Sequence, residues 1–140
     1  MTQNLVLIPG LLCDASLWAH QTEHLADIAD CMVADITGAE SVDELADSVL
    51  DAAPEKFALA GLSMGGYVAH AIMRRAPSRV TRLALVDTSA RADTEEQQER
   101  RRQLIDMTRY GKFRGVTDRL LPILVHEARL AETELTDKIK

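Results

Sequence analysis

The sequence has no apolar run near the roughly 20 residues that a bilayer-crossing helix needs. Its first apolar stretch, Leu5-Val6-Leu7-Ile8, is broken at Pro9-Gly10, and Met1-Thr2-Gln3-Asn4 before it carries no basic residue. Without a basic leader or a long apolar core, neither export nor membrane insertion is indicated, and a cytoplasmic protein is expected. Positive charge is in deficit: 16 Lys and Arg stand against 22 Asp and Glu, a formal net charge of −6. The basic residues form no stripe, which argues against nucleic acid and anionic lipid as partners. Cysteine is scarce, and Cys13 and Cys31 read as reduced thiols in the absence of a secretory signal. Repeats, low-complexity segments and the phosphate-binding patterns G-x-x-x-x-G-K-[ST] and G-x-G-x-x-G are also missing.

What is present is an ordinary soluble composition, 46% apolar and 27% charged over 140 residues. Leu5 to Ile8 suits a strand buried on both faces. Asp14 or Ser16 then caps a helix presenting Trp18, Leu25 and Ile28, and a short strand is expected from Cys31 to Ala34. Ser41 and Glu44 form a capping box ahead of Val42, Leu45, Ala46, Val49 and Leu50, which recur at amphipathic helix spacing. Lys56 to Leu62 reads as a strand, Met64 to Arg75 as a helix, and Leu83 to Val86 as a fourth buried strand. The βαβαβαβ alternation predicts an α/β protein with a parallel sheet flanked by helices.

The character changes after about residue 91, giving a core over 1–91 and a helical segment over 92–140. Asp93 and Glu96 are expected to form a capping box for a charged helix reaching about Met107. Gly111 and Gly115 interrupt it, and further helical pieces are expected near Val116 to Val125 and from Glu127 onward.

Between the third strand and its helix lies A-G-L-S-M-G-G-Y, a G-x-S-x-G pattern centred on Ser63. A strand-to-helix turn is the context in which a serine hydroxyl is lifted off a sheet as a nucleophile. Gly61 and Gly65 leave room for the close approach, and the Met64 N–H at the helix start points toward a developing oxyanion. A second donor is expected from the Pro9-Gly10-Leu11 loop, with the Leu11 N–H the best placed and Gly10 and Leu12 as substrate-binding residues. The same glycines also suit a plain tight turn in which Ser63 is an inert cap.

Taken together, L-V-L-I-P-G-L-L with Trp18 downstream, A-L-A-G-L-S-M-G-G-Y and L-A-L-V-D-T-S resemble the N-terminal half of the α/β-hydrolase superfamily. They are similar to its small carboxylesterase and carbon–carbon hydrolase branches. Pro9 stands where that family usually has His, and the stretch from Asp35 to Ser41 is shorter than its glycine-rich turn. The resemblance implies a partial α/β-hydrolase fold followed by the start of a helical lid. It also implies hydrolysis of a small ester, thioester or related acyl substrate through an acyl-serine at Ser63, with no metal or organic cofactor.

In that family a His near the C-terminus acts as base, held by an earlier Asp or Glu, and both would lie beyond Lys140. The resemblance thus implies a truncated hydrolase. Asp87 is a further candidate for the acid, because some relatives carry it at the end of this strand; its plain role would be to cap the turn into Ser89. His20 and His24 read as solvent-facing, His70 as a packing or surface residue, and His126 as a distant alternative for the base. Leu120, Leu121, Ile123 and Leu124 suit either an acyl-lined pocket or core packing. In the family's strand order, strand 83–86 is an apolar edge through which two copies could pair. The rival to an enzyme is a catalytically inactive, hydrolase-like binding or self-assembling module.

Overall fold

The computed structural model describes residues 2–112 and 114–140. Its core is a four-stranded parallel sheet of β1 (Gln3–Ile8), β2 (Ala29–Val33), β3 (Phe57–Leu62) and β4 (Val80–Val86), in the order β2-β1-β3-β4. The helices are α1 (Ala19–His24), α2 (Val42–Ala52), α3 (Met64–Arg75), α4 (Glu95–Arg109), α5 (Leu121–Leu124) and α6 (Thr133–Ile139). The chain divides into two compact units, Met1–Arg91 and Ala92–Lys140.

In the first unit, side chains alternate across the sheet as strand geometry requires. Val6, Ile8, Phe57 and Leu59 face a core completed by Leu45, Ala46 and Val49 of α2 and by Val68, Ala69 and Ile72 of α3. Leu7 and Ala60 face the other way and pack with Trp18, which sits in a short 3-10 turn ahead of α1. The two central strands β1 and β3 thus take the deepest burial, and their C-terminal ends carry the loops of interest.

Local sequence sets the helix starts. Ser41 and Glu44 form the expected capping box on α2, with the Glu44 N–H donating to Ser41 Oγ and the Ser41 N–H donating to Glu44 Oε2. Asp14 caps the 3-10 turn by accepting the Ser16 N–H at 2.8 Å. The helix behind it is shorter than its apolar spacing suggests: α1 stops at His24, and Ile28 is 64% exposed rather than packed. The chain there is consumed by a turn, in which the Ile28 and Ala29 N–H groups both donate to the Leu25 carbonyl before β2 begins.

β4 starts earlier than the Leu83 to Val86 stretch and is an edge strand, as the strand-order argument anticipates. It is not buried, however. Leu83, Leu85 and Val86 are each 41% exposed, because only β3 flanks the strand.

In the second unit, the capping box of α4 is formed by Thr94 and Gln97, not by Asp93 and Glu96. Asp93 instead forms an ion pair with Arg101 at 2.6 Å, so the register of the helix start shifts by one residue. The stretch near Val116 to Val125 is helical only over Leu121–Leu124, with Gly115 at φ 68° before it and Pro122 in its first turn. Leu121 and Val125 are buried, whereas Ile123 and Leu124 are exposed. No helix among the described residues is long and apolar enough to cross a membrane.

Candidate active site

β3 runs directly into α3 with Ser63 at the junction, at φ 52° and ψ −113°. That backbone is costly for a residue with a side chain, on the order of 1–3 kcal/mol, and persists only where the surroundings enforce it. Three glycines do so here. A Cβ on Gly61 would overlap the Gly65 carbonyl, one on Gly65 would overlap the Ile8 and Pro9 carbonyls, and one on Gly66 would overlap the Thr88 side chain. Helix α3 is therefore pressed onto the ends of β1 and β3 at backbone contact.

The turn is also fixed by hydrogen bonds. The Ser63 N–H donates to the Val86 carbonyl at 2.9 Å, and its own carbonyl accepts the Gly66 N–H at 2.9 Å and the Thr88 hydroxyl at 2.7 Å. Although Ser63 occupies the N-cap of α3, its side chain makes no capping hydrogen bond. The turn therefore does not use the hydroxyl as a cap. The Met64 N–H opens the helix, where backbone donors lack an intrahelical partner and the helix dipole favours negative charge.

The loop after β1 lies against this turn. Gly10 is buried, and a Cβ added to it would come within 3.6 Å of Ser63 Cβ and 3.2 Å of Leu62 Cδ2. Gly10 to Cys13 form a tight turn closed by the Cys13 N–H on the Gly10 carbonyl at 3.1 Å, with Leu12 at φ 61°. The closing bond does not use the Leu11 N–H. Leu11 and Leu12 are both largely open to solvent, at 58% and 56% exposure. Of the residues singled out in the sequence, Gly10 and Met64 thus stand beside Ser63, and Leu11 and Leu12 come next in the same loop.

Asp87 ends β4 immediately after Val86, the residue bonded to the Ser63 N–H, and has φ 44°. Among the described residues its carboxylate makes no hydrogen bond or ion pair, so it does not cap the turn into Ser89; the Ser89 hydroxyl instead accepts the Arg91 N–H. Asp35 does cap its own turn, accepting from the Thr37 N–H at 2.8 Å and hydroxyl at 2.7 Å. Thr88, which falls in the L-A-L-V-D-T-S stretch but has no role readable from it, also lies at the site, because its hydroxyl bond to Ser63 joins positions 25 apart in the chain.

The remaining candidates are the histidines. His20 and His24 stack at 4.0 Å on α1, and His24 Nδ1 lies 2.9 Å from the His20 carbonyl. His70 lies on α3, two turns beyond Ser63, and His126 Nδ1 accepts the Ala128 N–H at 3.2 Å in the second unit. No group of three or more His, Cys, Asp or Glu positioned to hold a metal occurs among the described residues. Both cysteines are free thiols, and burial pushes the Cys13 thiol upward, away from reactive thiolate.

Residues 18–138 match the model of the thioesterase domain family. The chain belongs to that family. Its fold is that of the α/β-hydrolase superfamily, and it superposes on a thermophilic esterase from Thermogutta terrifontis with a TM-score of 0.84 at 29% identity, over 99% of this chain and 57% of that one. An extracellular α/β-hydrolase from a Paenibacillus species, 20% identical with a TM-score of 0.70 over 99% of this chain and 66% of that one, shares the fold. In sequence, the chain is 36% identical over 94 residues to the pimeloyl-[acyl-carrier protein] methyl ester esterase of Vibrio campbellii, covering 61% of this chain. The Citrobacter koseri enzyme of the same description is 35% identical over 94 residues. The chain spans 37% of the length of these curated relatives.

Proposed function

We propose that the chain carries the nucleophile of an ester or thioester hydrolase, acting on a small acyl substrate through an acyl-serine at Ser63. One observation carries this reading: a serine held at φ 52° at the head of α3 with its hydroxyl uncommitted to the fold. A strained backbone with no structural use for its side chain is the signature of a positioned reactive group.

In the proposed reaction Ser63 Oγ attacks the acyl carbonyl while a general base takes its proton. The carbonyl oxygen becomes an oxyanion, which the Leu11 and Met64 N–H groups would stabilise. Collapse expels the alcohol or thiol, which recovers the proton, and water then releases the acid by the same route. Gly10 and Leu12 would border the acyl group. The chemistry uses protein groups alone, so no cofactor is invoked. The relatives' greater length supports a base, and the acid that orients it, supplied from outside these 140 residues. Asp87, at a strand end beside the turn, is the acid candidate within them. The free thiols suit a reducing cytoplasm.

The exposed edge of β4 favours a second reading, an inactive module that self-assembles by pairing Leu83 to Val86 with a second copy. Fluorophosphonate labelling read by intact mass separates the two. Adduct on Ser63, absent from Ser63→Ala, supports the hydrolase. A dimer by sedimentation, with no adduct on this chain or on any longer form, supports the module.

A further inference from the structure

Beyond its N-terminus, one face of helix α3 lines a cavity. Tyr67, His70, Met73 and Arg74 succeed one another at helical spacing and, with Val42 at the start of α2 and Ser89, Ala90 and Arg91 after β4, line a cavity of about 450 Å3. Ser63 is not part of this lining, and Arg74 stands ten residues along α3 from Met64, about 15 Å at the helical rise. The Arg74 end of the cavity is therefore about three turns from the proposed nucleophile, whereas Tyr67 at its near end is one turn away, and phosphate binding at the arginine end does not depend on Ser63 having that role.

Its charge runs against that of the chain. The formal net charge is −6, yet the ionisable groups that line the cavity are two guanidinium groups, an imidazole and a tyrosine hydroxyl, without a carboxylate. The adjacent carboxylate, Asp43, is engaged chiefly by Arg75 at 2.7 Å and lies 3.7 Å from Arg74, whose side chain is 67% exposed. Arg91 has no ion pair among the described residues, and its backbone N–H donates to Ser89 Oγ at 3.1 Å, which leaves the Ser89 hydroxyl proton available to a ligand. Guanidinium forks match the oxygens of a phosphate two at a time, which makes paired arginines a recurrent phosphate-binding device.

The rest of the wall is apolar: Val42, Met73 and Ala90. A free oxyanion has no use for such a surface, and the volume lies within the range of small-ligand pockets. We infer that this cleft binds an organic phosphate ester, the phosphate between Arg74 and Arg91 with Ser89 donating, and the organic part against Val42, Met73 and Ala90.

Titration calorimetry of the 140-residue chain with phenyl phosphate, and separately with inorganic phosphate, tests the assignment. Phenyl phosphate should bind more tightly than inorganic phosphate. Arg91→Gln should weaken it at least about tenfold, and Arg74→Gln similarly, with Arg91→Lys retaining part of the affinity. Ser63→Ala should bind like the parent chain, which separates this site from the hydrolase reading. Arg91→Gln breaks no ion pair among the described residues and should leave the urea midpoint unchanged, so its loss of binding reports the site. Absence of phenyl phosphate binding at millimolar concentration, binding indifferent to both arginine substitutions, or equal affinity for inorganic phosphate would each overturn the proposal.

Discussion

Thr88 donates its hydroxyl to the carbonyl oxygen of Ser63 at 2.7 Å, which ties the segment after β4 to the residue at the head of α3. Gly66 is the third party, since its N–H shares that carbonyl and a Cβ in its place would overlap Thr88. Thr88→Val keeps the shape and removes the donor, and should cost about 1 kcal/mol in urea unfolding. Gly66→Ala should cost about 1–3 kcal/mol by overpacking against a β-branched side chain that has no room to withdraw. In a form of the chain that takes up a fluorophosphonate, both should slow the adduct at Ser63, because both disturb the turn that holds it.

Ser63 itself offers a test in which stability and reactivity move in opposite directions. Glycine adopts φ 52° without penalty, so Ser63→Gly should stabilise the chain by roughly 1 kcal/mol while abolishing any fluorophosphonate adduct. Ser63→Ala also abolishes labelling, but retains the strain and should leave stability near that of the parent. Equal urea midpoints for the glycine and parent chains would show that the turn is not strained.

Arg79 holds the far end of α2 to the sheet. Its guanidinium donates to the carbonyls of Ala53 at 2.8 Å, Pro54 at 2.9 Å and Glu55 at 3.3 Å, and lies 5.6 Å from the Phe57 ring centre. A lysine ammonium cannot reach three carbonyls in this fork arrangement. Arg79→Lys should therefore destabilise by about 1–3 kcal/mol, measured as a shift of the urea midpoint without a change of slope.

Two turns contribute to acid sensitivity, alongside Asp43, held down by Arg75, and Glu132, held down by Arg129. The Thr37 hydroxyl and N–H hold the Asp35 carboxyl below the usual range, and the Ser16 hydroxyl and N–H do the same for Asp14. A carboxyl whose folded pKa is depressed contributes stability that is fully present above its unfolded value, near about 3.9, and is lost as pH falls through the lower folded value. Urea midpoints should vary little near neutrality from this source and fall below about pH 4. Asp35→Asn and Asp14→Asn should flatten that fall, and an unchanged slope in both variants would remove these turns as its cause.

Much of the first unit is legible in the sequence because its signals are local. The Ser41 and Glu44 capping box, the apolar runs of β1 and β3, and the glycine-flanked Ser63 each depend on residues within a few positions of one another. The sequence misleads where two local signals compete. Asp93 with Glu96 and Thr94 with Gln97 are both acceptable helix starts, and the Asp93 ion pair with Arg101, two turns away, accompanies the second. The apolar spacing through Trp18, Leu25 and Ile28 likewise suggests one helix, whereas a turn after His24 lets the chain enter β2 and leaves Ile28 in solvent.

By itself the sequence determined the α/β alternation, the parallel sheet and the placement of Ser63 between a strand and a helix, because periodicity and turn chemistry act over short separations. Only the tertiary structure decided what surrounds that serine: Gly10 packed beside its Cβ, the Val86 carbonyl and the Thr88 hydroxyl binding its backbone, and its own hydroxyl left without a capping role. Those contacts join three strand ends that lie far apart in the chain. Their geometry depends on sheet order and on how closely α3 can approach, which no local pattern encodes.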